Sequence, residues 1–179
     1  MKKLIVLCLL SVSLFSFGQS IQKPKKGKAL VYFIRSNAIG SALNFRVYDK
    51  DIFLGALPNR TYFAYECNPG KHLFWAASEN RDYVEAELKA GKVYVIDLRA
   101  KIGLLIAAVG LDPYSPDNKT HLKRFKKALD KHTSANVVTS SKSKEKEENI
   151  TKALSAYDDI KDKSNSKIKI LSSNMNFDF

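Results

Sequence analysis

The side chains in this 179-residue chain that could do chemistry are three histidines, two cysteines and a short acidic strand. His72 follows Pro69-Gly70, a pair that presets a tight turn, and reads as a turn-edge residue rather than a general base. His121 and His132 share a helix face three turns apart, about 16 Å at 1.5 Å per residue, too far to chelate one ion. Cys8 lies in an apolar run, and Cys67 ends a strand with no His or basic cluster adjoining it in sequence, so it reads as a small apolar space-filler. The chain has no HExxH, no paired cysteines, no glycine-rich phosphate loop and no Gly-x-Ser-x-Gly. No catalytic constellation, metal site or cofactor is expected. Tyr83, Glu85 and Glu87 share one strand face, where carboxylates could serve a hydrolase or hold calcium. A solvated strand face is the preferred reading.

The charge balance is the other chemical feature. Thirty Lys+Arg face 18 Asp+Glu, a formal charge of +12. Six cations, Lys119, Lys123, Arg124, Lys126, Lys127 and Lys131, lie in one stretch with a single acid, Asp130. Leu122, Phe125 and Leu129 recur there at helical spacing. Such a helix could lie on an anionic membrane surface or grip an acidic envelope protein. The preferred reading is that it docks its apolar stripe on the rest of the fold and leaves the lysines solvated. Nucleic acid is not an expected partner, because no recognition motif accompanies the charge and the N-terminus reads as an export signal.

That N-terminus has a basic start, Met1-Lys2-Lys3, then the apolar run Leu4 to Phe15, then Ser16-Phe17-Gly18 with small residues two apart. The run is shorter than the roughly 20 residues of a spanning helix. The expectation is a signal peptide over residues 1–18, cleaved near Gly18, with no transmembrane span afterwards and a periplasmic or envelope location. Cys8 is misplaced for lipidation. Cys67 is then the one remaining thiol, so no internal disulfide can form.

Residues 19–27 form a basic leader without apolar period. Over 28–112 short β-branched and aromatic runs recur with turn signals about every ten residues. They are Ala29 to Arg35, Leu43 to Tyr48, Ile52 to Leu54, Thr61 to Tyr65, His72 to Ala77, Tyr83 to Leu88, Val93 to Leu98 and a final run from Ile102 to Leu111. Leu43, Phe45 and Val47 are assigned to the core, and Asn44, Arg46 and Tyr48 to solvent. No crossover helices fit between these runs. The pattern predicts an antiparallel β-sandwich of about seven to eight short strands followed by C-terminal helices. Residues 113–133 carry the basic amphipathic helix, with Ser115 as cap and Pro116 in its first turn. Residues 134–179 supply a linker, a second helix from about Lys144 to Asp162, and a strand-like tail. The alternating end of that tail suggests pairing on an exposed sheet edge, its own or a partner's. The short strands and interrupting helices argue against an outer-membrane barrel.

The ordered motifs Lys28-Ala-Leu-Val-Tyr-Phe-Ile-Arg35, Phe45-Arg46-Val47-Tyr48-Asp49, Pro69-Gly70-Lys71-His72 and Ala90-Gly91-Lys92-Val93-Tyr94 carry a resemblance. Together with Gly40-Ser41 and Leu54-Gly55 they resemble an uncharacterised bacterial family, number twenty-eight forty-six of the domains of unknown function. The resemblance covers about residues 28–130. It implies an exported β-sandwich module and carries no catalytic residue. The expected function is a non-enzymatic envelope module, binding or structural. The alternatives are a hydrolase or carbohydrate-active enzyme at Tyr83, Glu85 and Glu87, and an assembly subunit that pairs through its terminal strand.

Overall fold

A computed structural model describes residues 21–36, 43–102, 107–137, 144–163 and 167–178. Residues 1–18, where a signal peptide is expected, with Cys8 among them, and Gly40-Ser41, part of the linker and Phe179 lie outside the described residues. The chain is mainly β, with strands β1 Ala29–Ile34, β2 Phe45–Asp49, β3 Ile52–Leu57, β4 Thr61–Cys67, β5 Gly70–Ala77, β6 Arg81–Leu88, β7 Val93–Ile102 and β8 Ala107–Pro113. Helix α1 Lys119–Lys131, β9 Thr133–Ser134, helix α2 Lys144–Lys161 and β10 Lys169–Leu171 follow. One sheet has the order β8-β7-β1-β4-β9 and the other β10-β6-β5-β2-β3.

The alternation within β1 explains why all six of its residues are buried. Ala29, Val31 and Phe33 face a core shared with residues of the other sheet, where Phe33 meets Phe74 edge-on at 5.3 Å. Leu30, Tyr32 and Ile34 face the opposite way and pack against Phe125, Ala128 and Leu129 of α1. The apolar stripe of α1 is thus spent on the sheet, and its charged flanks point away.

Several expectations are corrected. Among the described residues there are ten strands rather than seven to eight, and both sheets are mixed: β1 runs parallel to β7, β4 to β9 and β10 to β6. A parallel pair needs a long crossover, but strands of the facing sheet serve that purpose between β1 and β7, so no helix is required. The apolar run from Ile102 to Leu111 is not one strand; β7 extends to Ile102 and β8 begins at Ala107, paired antiparallel. Tyr48 is not on a wet face. It is 3% exposed and stacked on Trp75 at 3.8 Å, on the sheet face that α2 covers through Ala153. The cap of α1 is Asn118, whose side chain accepts from the backbone N–H of Thr120 and His121, while Ser115 to Asp117 form the turn before it.

The tail belongs to the fold. Leu171 in β10 joins the shared core beside β6, and the Phe177 amide donates to the Val93 carbonyl at 2.8 Å.

Candidate anion-binding cavity

Seating Phe125, Ala128 and Leu129 on β1 fixes which cations of α1 look where. Arg124, Lys127 and Lys131, at i, i+3 and i+7, line a cavity of about 650 Å³ at the C-terminal half of the helix. Arg60, Arg99, His132 and Ser36 complete its wall. Lys119, Lys123 and Lys126 are exposed on the other flank of the helix and do not line the cavity. The six cations singled out in sequence therefore divide into two groups of three.

Each remaining wall residue is held by the fold. Arg60 sits in the turn between β3 and β4 with φ 54°, in the left-handed region. Its carbonyl accepts from the Thr133 amide at 3.2 Å, so the short strand β9 ties this turn to the end of α1. Arg99 projects from β7. Its Nε lies 3.3 Å from Asp97 and its Nη2 2.5 Å from Asp112. Burial opposes the Arg99 charge, but Asp112, Tyr114 and Asp97 outweigh it and hold the pKa above the ordinary arginine value.

Asp97 is fully buried beneath the cavity and is surrounded by donors. The Ser36 hydroxyl donates to it at 2.6 Å, the Tyr114 hydroxyl at 2.7 Å and the Ser36 amide at 3.1 Å, besides Arg99. Burial and the neighbouring Asp97 charge push the Tyr114 phenol well above its usual range. Tyr114 remains a neutral donor. Asp97 and Asp112 thus answer the charge of Arg99. Arg60, Arg124, Lys127 and Lys131 form no ion pair among the described residues. Four cations without carboxylate partners share one concave surface.

The histidines occupy three different settings. His132 caps the C-terminus of α1, and its Nδ1 is buried without a hydrogen-bond partner among the described residues. Burial, then Arg60, lowers its pKa, so the ring at the cavity wall is neutral. His121 stacks on Tyr114 at 4.2 Å, and its Nδ1 accepts from the Ser115 amide, with burial again lowering the pKa. His72 is different. Its Nδ1 lies 2.7 Å from Asp49 and its Nε2 2.9 Å from the Asn68 carbonyl. With acceptors at both nitrogens, and Cys67 beside it, the ring is held protonated, its pKa pushed up to about 10 chiefly by Asp49. An imidazolium donating from both nitrogens is no general base. The sequence reading placed His72 at a turn edge and gave no hint of Asp49, which approaches from another strand.

Tyr83, Glu85 and Glu87 do not converge. The Tyr83 hydroxyl donates to the Ala153 carbonyl at 2.7 Å, and Glu85 accepts from the Tyr157 hydroxyl at 2.8 Å. Glu85 and Glu87 border a cleft of about 600 Å³ that Lys71, His72, Tyr157 and Asp158 also line. Cys67 is a free, buried thiol packed in the shared core. Among the described residues no group of three His, Cys, Asp or Glu side chains could hold a metal ion. No helix among them is long and apolar enough to cross a membrane.

No family model matches the chain, and no solved structure matches it. The chain is similar to an uncharacterized protein of Haemophilus influenzae, with 28% identity over 109 residues, 60% of this chain. The match spans 64% of that relative's length.

Proposed function

We propose that the protein is an exported, non-enzymatic β-sandwich module of the bacterial cell envelope that holds an anionic group of a partner in the cavity beside α1. The single observation that carries this reading is the set of four cations without carboxylate partners, Arg60, Arg124, Lys127 and Lys131, beside the buried Asp97. Like charges held together on a concave wall cost electrostatic free energy in the empty state, and an anion relieves that cost. Export is supported by the residue pattern over 1–18 and by the single thiol that cleavage would leave.

The test removes equal charge from the two flanks of α1. The protein recovered from the envelope fraction, beginning at Gln19, is eluted from immobilised heparin with salt. The variant with Arg124→Gln, Lys127→Gln and Lys131→Gln should elute at clearly lower salt than the variant with Lys119→Gln, Lys123→Gln and Lys126→Gln. Co-elution of the two would contradict the cavity as the site. Recovery in the cytosol with Met1 intact would contradict export.

A second reading is an enzyme working in the cleft bordered by Glu85 and Glu87. The commitment of Tyr83 and Glu85 to hydrogen bonds with α2 weighs against it. Assembly by donating the terminal strand would require β10 to leave its own β6 and make the same pairing in a second copy, whereas accepting a partner's strand would use the outer edge of β10.

A further inference from the structure

The cavity offers more than positive charge. The Ser36 hydroxyl spends its proton on Asp97 at 2.6 Å, so its remaining lone pairs make it an acceptor on the wall. A matching ligand must therefore bring concentrated negative charge and also be able to donate a hydrogen bond.

A phosphomonoester carries about −1.5 to −2 charges near neutral pH, because its second pKa is about 6, against the single charge of a carboxylate or a sulfate ester, and a hydroxyl of the body that carries it supplies the donor that Ser36 needs. Its three terminal oxygens suit the planar forks of Arg60 and Arg124, while Lys127 and Lys131 act as point charges. A cavity of about 650 Å³ lies within the range for small-molecule sites and is far larger than a bare phosphate needs. The wall combines charged heads with the alkyl stems that carry them, which suits a hydroxylated body whose ring carbons also need contact. We infer that the cavity takes a phosphomonoester carried on a polar, sugar-like body, seated between the Arg60 turn and the C-terminal half of α1. This inference rests on the anion-cavity reading above and narrows it to one chemical class.

Isothermal titration of the purified protein with glucose 6-phosphate tests it, with glucose 6-sulfate as the isosteric control. The expected result is saturable binding of the phosphate ester, with the sulfate ester at least tenfold weaker. Arg124→Gln with Lys127→Gln should weaken phosphate-ester binding at least tenfold, while Lys119→Gln with Lys123→Gln should leave it within twofold. Matching melting curves show that the variants are folded. Vesicles of phosphatidylcholine with and without phosphatidic acid separate the two sources of the same chemistry. Binding to phosphatidic acid that glucose 6-phosphate displaces assigns the group to a lipid headgroup; glucose 6-phosphate binding without vesicle binding assigns it to a soluble ester. Equal affinity for the phosphate and sulfate esters overturns the phosphomonoester inference and leaves the anion cavity standing. No binding of either ester, with the two α1 variants inseparable on heparin, overturns both.

Discussion

Asp97→Ala should lower the unfolding free energy by about 2–4 kcal/mol, since each buried donor left without its acceptor costs about 1–3 kcal/mol. Asp97 is fully buried and accepts from the Ser36 amide and hydroxyl, the Tyr114 hydroxyl and Arg99. Alanine leaves the Tyr114 hydroxyl, itself in a fully buried residue, without its acceptor. Arg99 keeps Asp112 but loses the contact that ties it to the cavity floor. Asp97→Asn retains the shape and one acceptor oxygen while removing the charge that faces Arg99, so it should cost less than alanine and more than a surface substitution. Urea unfolding read by tryptophan fluorescence measures both. A loss below about 1 kcal/mol for Asp97→Ala would mean that the network contributes nothing beyond an ordinary hydrogen bond.

Phe177→Ala should cost a comparable amount, about 3–5 kcal/mol, from lost burial and the cavity left behind. Phe177 is 3% exposed and meets Phe125 of α1 at 5.6 Å in an edge-on contact. Its amide bonds the Val93 carbonyl, so the tail is tied to β7 as well as to the helix. The substitution should therefore loosen α1, and with it the wall formed by Arg124, Lys127 and Lys131. The melting temperature should fall and be independent of protein concentration, because the tail packs within its own chain. A melting temperature that rises with concentration in the unsubstituted protein, and is insensitive to Phe177→Ala, would point instead to a tail that works between copies.

The local patterns were readable and the non-local ones were not. The apolar stripe of Leu122, Phe125 and Leu129 recurs at helical spacing and identifies α1 together with its buried face. The unbroken apolar run of β1 likewise fits a strand covered on both sides. Parallel pairing of β1 with β7 has no such signature, since it depends on which strands of the facing sheet lie between them. The site suffers from the same limit. Arg124, Lys127 and Lys131 stood out in the sequence as part of a basic helix. Arg60 and Arg99 come from a turn and a strand far from it in sequence, and only the β4–β9 and β1–β7 pairings bring them to the same wall.

A usable signal did exist for the floor. Asp97 interrupts the apolar run from Val93 to Leu98, and a carboxylate in such a strand must find donors once buried. Arg35, at the end of β1, is the same kind of signal. It is fully buried, its guanidinium donates to the Leu43 and Leu57 carbonyls, and it stacks over Phe45 at 4.0 Å. The cap of α1 was misjudged because Ser115, Asp117 and Asn118 are all good cap residues, and the choice among them rests on how the helix docks rather than on propensity.

The most direct measurement is the change in backbone amide chemical shifts as glucose 6-phosphate is titrated into the labelled protein. The account predicts saturable shifts concentrated at Ser36, Arg60, Arg99 and the stretch from Lys127 to His132. Shifts centred on Lys119, Lys123 and Lys126, or spread evenly over the basic surface without saturation, would contradict it.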